Sequence, residues 1–167
     1  MSIELLKRAL LFVVFVLAQA LVLGRVHLFH CATPLLYVYF VSMFPRNYPK
    51  WGVLTWSFIM GLTIDVFSNT PGLTAASLTA IAAVQPYLFE LFVPRDSAES
   101  LEPSLINLGP TKYSYYIVAL VSVFCLLFYS LEMFSFENLL EWATCVVGSA
   151  LITLALIFTF EIAKSRA

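Results

Sequence analysis

The feature that most constrains this chain is a series of long apolar runs with almost no charge in them. Residues 113–133 contain only Glu132 as a charged residue, and residues 73–93 contain only Glu90. A helix of about 20 such residues is long enough to cross the hydrocarbon core of a bilayer. Charged residues make up 11% of the chain and the mean hydropathy is +0.92, whereas a soluble domain carries about 25% charge. The sequence therefore predicts an all-α integral membrane protein.

Six apolar runs, separated by turn signals or charges, predict a compact bundle of six transmembrane helices at approximately 9–24, 31–46, 51–67, 73–93, 113–133 and 139–162. Together with a polar segment at 94–112 they account for a single polytopic domain over residues 1–167. The second run is short: as a helix, residues 34–44 would reach only about 17 Å, against a core of about 30 Å. It is either a re-entrant hairpin or a true span that is extended at both ends or thins the bilayer.

The positive charges favour the true span and set the orientation. If the helices alternate from a cytoplasmic N-terminus, only Arg25 lies outside, and eight cations lie inside: Lys7, Arg8, Arg46, Lys50, Arg95, Lys112, Lys164 and Arg166. This is the distribution that the positive-inside rule describes. A re-entrant second segment would move Arg46 and Lys50 outside and remove most of the bias. We therefore predict a multi-pass protein with both termini cytoplasmic, in which the first run is retained and not cleaved as a signal peptide.

Several classes of function receive no support from the residues. The net charge is −1 without a basic patch, which argues against nucleic acid as a partner. No catalytic signature and no cofactor motif occurs, so we predict a non-enzymatic protein without a cofactor. The local cluster His27, His30 and Cys31 lacks a nearby fourth ligand, and we attribute it to chance and predict no metal site.

Asp65 is the most unusual residue, because it ends one apolar run directly before the turn at residues 68–72. In the predicted topology it lies near the outer, C-terminal end of a helix, where the helix dipole disfavours an anion. An unpaired carboxylate there would cost several kcal/mol. We expect compensation from Arg25, more weakly from His27 and His30, or from the turn donors Ser68, Asn69 and Thr70. Asp65 is then either a staple for the outer turn or a proton or ion site, and its nearness to the interface favours the staple.

The order of these features resembles the MreD family of bacterial rod shape-determining membrane proteins. The resemblance rests on R-V-H-L-F-H-C-A-T-P-L-L-Y at residues 25–37, G-L-T-I-D at 61–65 and S-N-T-P-G-L-T-A-A-S at 68–77. It extends over essentially the whole chain. The residues that match, or that surround the match, are the candidates for a structural or interaction role: Asp65, Arg25, Gly61, Asn69, Pro71, Gly72 and Pro34.

The resemblance implies a scaffold of the cell-wall elongation machinery in the bacterial inner membrane, which works with an MreC-like single-span protein. Through that partner it would be linked to the MreB filament, the RodA glycosyltransferase and its transpeptidase. The family also resembles the substrate-binding subunits of energy-coupling-factor transporters, which implies a six-helix bundle with an outward cavity. The alternative function is therefore a small-molecule or lipid-intermediate binding subunit, with Asp65, Arg25, His27 and Asn69 around that cavity.

Overall fold

All regular structure in the described part of the chain is helical, as predicted. The computed structural model describes residues 2–22, 33–93, 101–133 and 139–166, with the side chains of residues 6–21, 33–93, 101–133 and 139–165. The helices are α1 (Ser2–Leu17), which continues as a π-helical segment (Ala18–Val22), α2 (Val38–Ser42), α3 (Lys50–Ser68), α4 (Leu73–Phe92), α5 (Leu105–Leu108), α6 (Pro110–Glu132) and α7 (Leu139–Arg166).

Four of these helices, α3, α4, α6 and α7, are long and apolar enough to cross a membrane. Their outward side chains are also apolar, with Val66 80%, Leu91 76% and Leu151 63% exposed. Large exposed apolar surfaces of this kind belong against lipid or another protein. The arrangement agrees with a multi-pass membrane protein.

The prediction of a continuous helix over residues 31–46 is wrong. Within residues 33–49 only Val38–Ser42 forms an α-helix before α3 begins, and the flanking residues form turns and irregular backbone. The segment still covers a long path, because a non-helical residue can rise up to about 3.3 Å whereas a helical one rises 1.5 Å. It starts beside Gln19, which bonds the Pro34 carbonyl, and ends beside Arg8, which stacks on Phe44.

The bundle has two ends, which we name after one residue each. At the Asp65 end, α3 ends and α4 begins. At the Arg8 end, the Arg8 guanidinium lies 5.0 Å from the ring centre of Phe44 and 4.5 Å from that of Tyr48. Between the two ends lies an aromatic core in which edge-to-face pairs such as Tyr37 with Phe124, 5.6 Å apart, fill the space.

The residues after the undescribed stretch 94–100 pack onto the bundle more closely than a loop over 94–112 would suggest. Pro103 and Leu108 are buried, and α5 lies within the predicted loop. The Arg46 N–H donates to the carbonyl of Leu101 at 3.3 Å. Residues 101–109 therefore form part of the Arg8 end of the bundle.

The α3–α4 hairpin has the most extensive helix–helix contact of the described chain, and Gly61 makes that contact possible. A Cβ atom built on Gly61 would lie 2.4 Å from Cα of Ala75 and 2.9 Å from the carbonyl oxygen of Thr74. Both atoms belong to the backbone of α4 and cannot move aside alone. Small residues such as Ala75 can pack against a helix of a partner protein. Here Ala75 packs against α3 of the same chain.

We predict that Gly61→Ala destabilises the protein, because α3 and α4 must separate to admit the methyl group. Overpacking of this kind costs about 1–3 kcal/mol. Thermal unfolding of the purified protein in detergent measures the effect. Gly52→Ala is the matched control, since its added Cβ would meet mainly the Tyr48 ring, 2.7 Å away, which is a side chain. An unfolding temperature for Gly61→Ala equal to that of Gly52→Ala would contradict the close-packing argument.

Candidate functional site

Asp65 caps the first turn of α4 from the end of α3. Its Oδ1 accepts hydrogen bonds from the N–H of Thr74 at 2.8 Å and from Oγ1 of Thr70 at 2.9 Å, and its Oδ2 accepts from the N–H of Ala75 at 2.9 Å. The first N–H groups of a helix have no partner within that helix. The positive end of the α4 dipole therefore faces the carboxylate and offsets the unfavourable end of α3.

These partners differ from those that the sequence suggested first. Thr70 was among the expected turn donors, but the two backbone N–H groups of α4 were not expected. Arg25, His27, His30 and Cys31 lie outside the described residues. The carboxylate is only 5% exposed, and within the described residues its compensation comes from the turn and from α4.

The turn between α3 and α4 holds the carboxylate in place. Asn69 has φ 56°, in the left-handed region, and its N–H donates to the Asp65 carbonyl as α3 ends. Gly72, with φ 79°, precedes the first turn of α4 without a side-chain cap of its own, and Pro71 is exposed between them. Asn and Gly are the residues that adopt positive φ most readily. The positive φ angles of the turn thus place the first N–H groups of α4 where they can donate to the Asp65 carboxylate.

Pro34 belongs to a second polar site, in which side chains satisfy the irregular backbone before α2. Its carbonyl accepts from Nε2 of Gln19 at 2.9 Å. On α7, Oγ of Ser149 accepts from the N–H of Thr33 at 3.1 Å, and Oγ1 of Thr153 accepts from the N–H of Leu35 at 3.0 Å. Non-helical backbone at membrane depth requires such partners, because no bilayer water is available to it.

Tyr129 extends this polar site to α6. Its hydroxyl forms a hydrogen bond with Ser149 and lies 3.3 Å from Oγ1 of Thr33. The sequence analysis did not identify these roles of Ser149 and Thr153. Their spacing of four residues, which puts two hydroxyls on one face of an apolar helix, was the available signal.

A cavity of about 430 Å³ lies at the Asp65 end, and the described part of its polar lining differs from the predicted set, of which Arg25 and His27 lie outside the described residues. Asp65 and Asn69 are not among the residues that line it. Its polar lining includes Gln19, Thr33, Ser68, Thr70, Thr74 and Glu132. Gln19 is 5% exposed, and its Oε1 has no hydrogen-bond partner among the described residues. A buried acceptor usually has a hydrogen-bond partner, and Gln19 belongs to the wall of this cavity.

Glu161, near the C-terminal end of α7, is a buried acid. In the structure it is only 3% exposed, it accepts a hydrogen bond from the Tyr39 hydroxyl, and the N–H of Leu105 donates to it at 3.3 Å. It therefore connects α7 to α2 and α5. Glu90 on α4 is exposed, by contrast. An exposed acid near a helix end can reach the lipid headgroups.

Comparisons with models of protein families, with curated proteins and with solved structures gave no match to this chain.

We predict that Asp65→Asn lowers the free energy of unfolding by about 1–3 kcal/mol, the usual cost of leaving a buried polar group unpaired. The amide keeps one acceptor oxygen, but its NH2 group would face a backbone N–H of α4. Thermal unfolding in detergent tests this expectation, and the control is Glu90→Gln, which removes an exposed carboxylate from α4. Equal unfolding temperatures for the two variants would show that the cap is not needed.

We also predict that Thr153→Val destabilises the protein by about 1–3 kcal/mol, because the change keeps the shape but leaves the N–H of Leu35 without its acceptor. Thr159→Val is the matched control on the same helix: this exposed hydroxyl only donates to the Ala155 carbonyl. The measurement is again thermal unfolding. A Thr153→Val protein as stable as the control would mean that another group satisfies Leu35.

Proposed function

We propose that this chain is an MreD-like scaffold of the bacterial cell-wall elongation machinery. It would cross the inner membrane six times, with both termini and the Arg8 end in the cytoplasm and the Asp65 end outside. Its direct partner would be an MreC-like single-span protein. Through that partner it would act with the MreB filament, the RodA glycosyltransferase and its transpeptidase.

The observation that carries this proposal is that the part of the resemblance at residues 61–77 forms one structural unit. Gly61 admits the backbone of α4, Asp65 caps α4, and Asn69 and Gly72 supply the two positive φ angles of the turn. Each of these positions favours the residue type that occupies it. If these residues matched the family pattern by chance, we would not expect them all to contribute to the same helix–turn–helix contact.

The distribution of charge supports the proposed orientation. Every lysine and arginine in the described residues belongs to the Arg8 end. Lys7, Arg8 and Lys164 line one pocket there, and Lys50 lies 5.1 Å from the ring centre of Tyr87. The described residues of the Asp65 end contain no lysine or arginine. Cations collect on the cytoplasmic side of membrane proteins.

A scaffold needs a surface for the helix of its partner, and α7 is the least buried of the four candidate membrane-spanning helices in the described chain. Within the described chain only 28% of its most apolar window is buried, against 39% or more for α3, α4 and α6. Its exposed stripe combines bulky residues, Leu140, Val147 and Leu151, with the smaller Thr144 and Ala155. Small residues allow a second helix to approach closely. We therefore assign the MreC-like helix to this stripe.

The second candidate function is a small-molecule or lipid-intermediate binding subunit of a transporter. The cavity at the Asp65 end favours it, because polar side chains line it and one of them, Gln19, has a buried Oε1 without a hydrogen-bond partner among the described residues. In that case the chain would associate with a membrane coupling protein and ATPases. A cavity with several convergent polar groups is a common form of ligand site.

Photocrosslinking in native membranes separates the two candidates. We expect a photoreactive residue at Val147 or Leu151 on α7 to capture an MreC-like single-span protein. The same residue at Leu62 or Val66, which are exposed on α3, serves as the control and should capture little.

Capture of a coupling protein and ATPases would favour the transporter function. Equal capture from α3 and α7 would remove the assignment of the partner to α7. The absence of wall-synthesis proteins from every position, and from an affinity purification after general crosslinking, would contradict the scaffold.

A further inference from the structure

A pocket of about 360 Å³ at the Arg8 end brings together cations from both ends of the chain. Lys7 and Arg8 come from the start of α1, and Lys164 comes from the last turns of α7. Glu102 is the single acid among the lining residues. Three cations and one acid give the pocket a formal charge of +2.

The cations are available to an anion. Within the described residues no ion pair joins any of them to a carboxylate. The Arg8 guanidinium is held in place by stacking on the rings of Phe44 and Tyr48, whereas Lys7 and Lys164 are exposed. A fixed guanidinium flanked by two flexible ammonium groups is well suited to a phosphate.

The rest of the pocket is apolar. Its remaining lining residues are Leu11, Phe40, Met43 and Phe44. On the same turns of α1, Leu6 is 72% and Leu10 is 67% exposed, so apolar surface continues from the pocket onto the outside of the bundle. A soluble anion or an acidic peptide would gain little from this surface, but an acyl chain could lie along it.

We propose that this pocket binds an anionic phospholipid, with the phosphate between Lys7, Arg8 and Lys164 and an acyl chain along Leu11 and Met43. Basic pockets between membrane helices bind such headgroups. The proposal needs only that the Arg8 end lies at a membrane surface. It is independent of the wall-synthesis partners, and either idea can fail without the other.

Native mass spectrometry of the purified full chain, titrated with phosphatidylglycerol or phosphatidylcholine, tests the proposal. We expect tighter binding of phosphatidylglycerol. The double variant Lys7→Gln/Lys164→Gln should weaken it about 25-fold, that is, about fivefold for each cation removed. It leaves Arg8 and its aromatic packing intact. Lys112→Gln, an exposed cation that is not in the pocket, is the matched control and should bind phosphatidylglycerol like the unaltered protein.

Three results would overturn the proposal. The first is equal affinity for the two lipids. The second is an equal loss of affinity in the double variant and in Lys112→Gln, which would indicate general charge attraction. The third is equally tight binding of glycerol phosphate without acyl chains, which would assign the pocket to a soluble phosphate.

Discussion

Backbone polar groups inside this bundle must find partners within the protein, because neither lipid nor an apolar core offers them. The requirement is greatest at two places: the first turn of α4 and the irregular backbone of residues 33–37. Asp65 supplies the acceptors at the first, and Ser149, Thr153 and Gln19 supply the partners at the second. The α3–α4 hairpin and the path of residues 33–49 both depend on these few side chains.

The two places are connected through packing. Because Gly61 lets α4 approach α3 closely, the N–H groups of Thr74 and Ala75 come within reach of Asp65. Thr74 also lines the cavity at the Asp65 end, together with Gln19 and Thr33 from the second place. A change in the cap would therefore alter the cavity wall as well as the stability of the hairpin.

The Arg8 end has a different chemistry. Its cations lie at the rim, where lipid headgroups would be, and aromatic rings beneath them hold Arg8 in place. The buried Glu161 connects α7 to α2 and α5 behind this rim. One end of the bundle is thus fixed by hydrogen bonds to backbone groups, and the other combines such bonds with aromatic packing and exposed positive charge.

The sequence by itself determined the helical class and the limits of α3 and α4. The prediction of 51–67 became Lys50–Ser68 and that of 73–93 became Leu73–Phe92, because hydropathy and turn residues such as Asn69 and Gly72 act locally along the chain. The sequence also singled out Asp65 as a residue that needs a partner. Only the tertiary structure decided that α4 provides this partner, that residues 33–49 are mostly irregular, and that Lys7 and Lys164 line the same pocket. Each of these features depends on contacts between segments that are far apart in the sequence. A local pattern of residues does not predict the free energy of such contacts.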